Sequence, residues 1–185
     1  MNHKILKLSK ILFSLNLRKE ASEVSELTAE SAPSRVEFSG ILKLSPSSPP
    51  TDIQGSLSGY FEEHGLKPLP ADKLHITLLN QAVLKPFAKE LKGKAFPEYD
   101  GSITYGDLYS IEREEEGKES VFVVIEEQGE LSDYISRTLK EMGITAEPEP
   151  TRIYHITLGN KTGNPHDSVG HSEAKPMRLE DCKKI

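Results

Sequence analysis

With one cysteine, Cys182, the chain has no second thiol for an intrachain disulfide and no thiolate set for a cysteine-based metal cluster. That scarcity fits a reducing compartment, and a cytoplasmic location is expected. No apolar run approaches the roughly 20 residues that a membrane-spanning helix needs. Cations are in deficit too: 23 Lys and Arg against 29 Asp and Glu leave a formal net charge of −6. Proteins that grip long RNA or DNA by the backbone draw on clustered Lys and Arg, so a basic track for long nucleic acid is excluded. Small or terminal phosphate substrates fit better. What the chain does hold is 185 residues, 36% of them hydrophobic, which suffices for one core plus an appendage. It is expected to work as a monomer.

The appendage is N-terminal. Ile5, Leu8, Leu12 and Leu15 share one helical face, Lys4, Lys7 and Lys10 occupy others, and Leu17, Ala21, Val24 and Leu27 restart the period after Asn16. Residues 1–34 therefore read as a helical hairpin ending in the linker Ser31-Ala32-Pro33-Ser34, ahead of a domain over 35–185. The hairpin either packs on the domain or docks to a protein partner or an anionic surface. A signal peptide is disfavoured because Ser14 and Asn16 cut the short apolar run Ile11-Leu12-Phe13. Ser45 to Pro50 reads as a second linker, and the acidic run Glu112 to Glu116 as the solvated tip of a β-hairpin between Ile103–Ile111 and Ser120–Ile125.

The domain carries one sequence twice. His75-Ile76-Thr77-Leu78-Leu79-Asn80 and His155-Ile156-Thr157-Leu158-Gly159-Asn160 share His, Ile, Thr, Leu and Asn at the same offsets. Side chains alternate faces in an extended strand, so each His and its Thr point the same way, roughly 7 Å apart, while Ile and Leu point to the core. Each motif follows a helical stripe. The first has Ile53, Leu57, Tyr60 and Phe61 between Asp52 and His64 with Gly65 as its stop; the second has Leu131, Tyr134, Ile135, Leu139 and Met142 with Gly143 as its stop. A strand-like run precedes each helix, Val36 to Leu44 and Ser120 to Glu126. The unit is strand, helix, strand, used twice.

In these motifs, Leu74-His75-Ile76-Thr77-Leu78 and Tyr154-His155-Ile156-Thr157-Leu158, the chain resembles the two-histidine (2H) phosphoesterase superfamily over about residues 36 to 160. A single His-x-Thr is a weak signal, since Thr is common in strands; two copies in matching contexts are a strong one. The resemblance implies an α+β, bilobal pseudo-twofold fold, with antiparallel sheets lining a central cleft and helices outside. It also implies a hydrolase: a cofactor-free and metal-independent phosphodiesterase acting on 2′,3′-cyclic phosphates of RNA ends or nucleotides, with a 2′-phosphate as product. His75 and His155 are then the catalytic pair, and Thr77 and Thr157 bind substrate. Gly159 is similar to the residue after the second motif in cyclic phosphodiesterases of the myelin and tRNA-ligase types. Other branches cleave 2′-5′ oligoadenylate or cyclic oligonucleotide signals, and a non-catalytic nucleotide or RNA-end binding module would use the same cleft.

Imidazole pairs suit this chemistry. One neutral and one protonated ring near neutral pH supply a base for the attacking water and an acid for the departing ribose oxygen, while hydroxyls donate to the non-bridging oxygens. The residue types do not assign the roles; His155 is the first choice for water activation. Asn160, Lys161 and Ser168, in the polar stretch after the second motif, are further candidate contacts. His64 reads as a helix-terminal cation, and His166 and His171 lack the spacing of a metal motif.

Overall fold

The computed structural model describes residues 33–146, 152–170 and 177–185. The helical hairpin expected over the N-terminal residues, the first half of its linker, and His171 lie outside the described residues.

Two β-hairpins supply half of the strands. Strands β1 (Arg35–Phe38) and β2 (Leu42–Ser45) form the first. The alternation from Val36 to Leu44 predicts a single strand there. Instead the chain reverses through Ser39–Ile41, where Gly40 adopts φ +89°, and Val36 lies opposite Leu44. Period-two alternation continues through this turn, so only Ser39-Gly40 marks it in the sequence. Strand β3 (Lys67–Pro68) and the first motif strand β4 (Ile76–Leu79) follow, and then β5 (Tyr105–Arg113) and β6 (Lys118–Ile125) form the second hairpin. Its tip is tighter than the expected acidic turn: Glu112 and Arg113 belong to β5, Glu114–Glu116 make one 3₁₀ turn, and Gly117, at φ +63°, closes it.

Each hairpin leads through helix to a motif strand. Between β2 and β3 the expected helix from Asp52 to His64 is two short ones, α1 (Thr51–Ser56) and α2 (Ser58–Glu63), divided at Leu57. Gly55 and Gly59 on either side of the break weaken a continuous helix. Two further short helices, α3 (Gln81–Leu84) and α4 (Ala88–Leu91), lead toward the second half. After β6 comes α5 (Gln128–Glu141), which buries the stripe read from its sequence, Leu131, Tyr134, Ile135 and Leu139. The second motif forms β7 (His155–Asn160), and β8 (Lys183–Lys184) ends the chain's strands.

The described strands make one antiparallel sheet in the order β1-β2-β4-β7-β6-β5-β8, with β3 also paired to β7. The class is therefore α+β, as expected, with a single eight-stranded sheet where plural sheets were expected. Leu44, Ile76, Ile156 and Val123 stand in one cross-strand row, and all four are fully buried. They belong to the same core as the α5 stripe. Each such side chain contributes roughly 1.5–3 kcal/mol through burial, so this row and stripe anchor the motif strands from behind. The supposed linkers are tied down as well. Ser34 is buried and exchanges backbone hydrogen bonds with Tyr99, and the carbonyl of Ser48 accepts from the Tyr105 hydroxyl at 2.5 Å.

Candidate active site

Both motifs alternate in burial. Ile76, Leu78, Ile156 and Leu158 are fully buried, whereas His75, Thr77, His155 and Thr157 are half-buried on the opposite face. The two motif strands are neighbours, with Ile76 directly opposite Ile156. Antiparallel pairing at that point brings the two His-x-Thr segments side by side, and all four polar side chains line one cleft.

The two rings are held identically. His75 Nδ1 is 2.7 Å from the carbonyl of Lys73, and His155 Nδ1 is 2.8 Å from the carbonyl of Ile153, in each case two residues earlier. A carbonyl only accepts, so each Nδ1 carries the proton, and each Nε2 is the nitrogen left to exchange one. Neither Thr77 nor Thr157 uses its hydroxyl in a hydrogen bond among the described residues. Two orienting bonds and two uncommitted hydroxyls converge on one spot.

These residues floor a cleft of about 480 Å³. Ile41, Leu69, Lys73, Asn80 and Gln81 also line it, as do Arg152, Pro165, His166, Ser168 and Val169. Among the described residues the lining holds two fixed cations and no carboxylate, in a protein of net charge −6. Such a surface favours an anion. Lys73 and Arg152 are candidate site residues that the sequence pattern does not single out. The Arg152 Nε donates to the carbonyl of Thr77 at 3.1 Å, a bridge from the second motif's approach to the first motif's strand. Nothing in the local spacing signals that contact, which arises only when β4 and β7 pair.

The histidines differ in their surroundings. His155 packs on the buried Phe122 ring, with centroids 4.9 Å apart. Near His75 lies an ion pair, Lys43 Nζ to Glu37 Oε1 at 2.7 Å, and Lys43 is the cross-strand partner of Thr77. The hydrogen bond from Lys43 holds the Glu37 carboxyl below its ordinary range. Burial pushes the His75 imidazole below its ordinary value; the bond to the Lys73 carbonyl and the Glu37 charge act the other way, and the Lys43 and Lys73 charges act with burial. His75 is therefore biased toward the neutral ring.

The shared Asn has a turn role in both copies, and Asn80 also lines the cleft. The Asn80 side chain caps α3 by accepting from the backbone N–H of Val83. Asn160 is fully buried and accepts from the N–H groups of Thr162 and Gly163, so it is no substrate contact. Lys161 is outside the cleft lining, near Glu112 and Glu119. Ser168 does line the cleft. His64 ends α2 and stacks on Tyr60 at 4.1 Å. Gly159 has a packing reason: a Cβ there would sit 2.8 Å from the Phe61 ring and 2.9 Å from the Lys67 carbonyl. Among the described residues no three His, Cys, Asp or Glu side chains gather to hold a metal ion, and no helix is long and apolar enough to cross a membrane.

Comparison of the chain with protein-family models, with curated proteins and with solved structures finds no match.

Proposed function

We propose that the protein is a phosphodiesterase of the two-histidine type, which opens 2′,3′-cyclic phosphates of RNA ends or nucleotides to 2′-phosphates without a metal ion. The observation that carries this reading is the matched pair of imidazoles. Both are oriented through Nδ1 by the carbonyl two residues earlier, and each shares the cleft with the Thr two residues on, whose hydroxyl has no partner among the described residues. A structural histidine has no need of a second copy in the same bond across the strand. The sheet order supports a pseudo-twofold relation as well: β1, β2 and β4 reach the centre from one side as β5, β6 and β7 do from the other. In each set a hairpin is followed by helix and then by a motif strand.

The phosphate sits over Ile76 and Ile156, between the two rings. The Thr77 and Thr157 hydroxyls donate to its non-bridging oxygens, where charge accumulates, and Lys73 and Arg152 add positive potential from the walls. His75, held neutral by burial, takes a proton from the attacking water at Nε2. The new P–O bond forms as the P–O3′ bond breaks, and His155 Nε2–H protonates the departing 3′-oxygen. This choice differs from the first choice from sequence and rests on the burial of His75, which favours its neutral form.

The assignment has a pH consequence. His75 must be neutral in the free enzyme, so kcat/KM on a 2′,3′-cyclic nucleotide falls as pH drops through the pKa of His75, which lies below the ordinary histidine value of about 6.5. On the alkaline side the rate falls as the general acid loses its proton. A pH–rate profile in the presence of chelator is expected to be bell-shaped, with its acid limb displaced below about 6.5. An acid limb above that value, or a rate abolished by chelator and restored by zinc or manganese, contradicts the assignment.

A further inference from the structure

The two halves diverge after their motifs. Past Asn80 the chain turns directly into α3 and adds only Gln81 to the cleft wall. Past Asn160 it builds a loop over 161–170 that brings Pro165, His166, Ser168, Val169 and Gly170 to the cleft lining. That loop is braced from below. The Asn160 Oδ1 accepts from the N–H of Thr162 and of Gly163 at 3.1 and 2.7 Å, and its Nδ2 donates to the carbonyl of Asn164 at 2.6 Å and to Ser168 Oγ at 2.9 Å. Thr162 Oγ1 donates to Asp167 Oδ2, and the Val169 N–H donates to Ser120 Oγ on β6. A surface loop gains nothing catalytic from such bracing unless it must hold groups in place for a ligand.

The bracing sets the polarity of one of those groups. Two backbone N–H donors fix the orientation of the Asn160 amide, because a flipped amide would bring N–H groups against them. Its Nδ2 therefore faces Ser168, and Ser168 Oγ is an acceptor in that bond. The hydroxyl proton of Ser168 must point elsewhere, and among the described residues no acceptor receives it. Ser168 lines the cleft, as do the exposed ring of His166 and the apolar Val169.

We infer that the Asn160-braced loop is the recognition wall for the nucleoside part of the substrate, with the Ser168 hydroxyl donating to a ribose or base oxygen and the His166 ring covering the base. This rests on the phosphodiesterase reading for its substrate class. It also makes recognition one-sided, with the phosphate on the motif floor and the nucleoside against the loop.

The test compares wild type with Ser168→Ala, Ser168→Thr and His166→Ala, using adenosine 2′-monophosphate for binding by calorimetry. Adenosine 2′,3′-cyclic phosphate and the base-free glycerol 1,2-cyclic phosphate serve for turnover. Ser168→Ala and His166→Ala are each expected to weaken 2′-monophosphate binding about 5-fold and to lower selectivity for the nucleotide over the base-free ester by a similar factor. The effect falls in KM while kcat changes little, and Ser168→Thr, which keeps the donor, restores binding. If Ser168→Ala and His166→Ala both bind and discriminate as wild type does, the loop inference is overturned. Nucleotide binding that needs Ser168 and His166 but brings no turnover supports the loop and sinks the catalytic reading. Wild type that binds no nucleotide overturns both.

Discussion

Alanine at His75 or at His155 is expected to lower turnover of a 2′,3′-cyclic nucleotide by about 100-fold or more, close to 3 kcal/mol of transition-state stabilisation, as for loss of a positioned base or acid. The effect falls on kcat, because proton transfer belongs to the transition state and contributes little to ground-state binding. Base and acid act in one displacement, so the double variant is expected to be little worse than either single variant. Neither ring is part of the buried core, and each is half-exposed at the cleft floor, so the folded state tolerates the change. Kinetics on purified variants with unchanged melting temperatures check this. A single variant that retains near-wild-type turnover removes the acid and base pair from the mechanism.

The second large effect belongs to the hydroxyls. Thr77→Val and Thr157→Val keep shape and β-branching while deleting one donor each, and each is expected to lower kcat about 30-fold, close to 2 kcal/mol. Both Thr side chains line the same cleft, so both hydroxyls serve one phosphate and the two losses are expected to be of similar size. Serine at either position retains the donor and most of the rate. If valine at both positions leaves kcat unchanged, the hydroxyls are strand-forming residues with no part in charge stabilisation.

How much of this was legible in the sequence depends on the range of the interaction. The two faces of each motif were, because period-two alternation depends only on the strand itself: His and Thr half-exposed, Ile and Leu buried. The stripe on α5 was legible for the same local reason, from its 3.6-residue period. The turn at Gly40 was not, since the alternation of Val36, Phe38, Leu42 and Leu44 continues across it. Asn160 attracts a functional reading that its burial and its bonds to the Thr162 and Gly163 N–H groups remove, because a turn and a binding site favour the same short polar side chain. Lys73 carries no pattern of its own two residues before His75, and Arg152 is not legible because its value comes from cross-strand placement. Arg152 reaches the Thr77 carbonyl only once two strands distant in sequence lie side by side.

The central claim is that the paired imidazoles and hydroxyls form a metal-independent hydrolytic site. Phosphorus NMR of adenosine 2′,3′-cyclic phosphate incubated with the wild-type protein in excess chelator tests it most directly. The account predicts that the cyclic phosphate resonance disappears with multiple turnovers and is replaced by that of the 2′-monophosphate. A cyclic phosphate signal that persists in the presence of stoichiometric protein that binds it would contradict the account and make the cleft a binding site without chemistry.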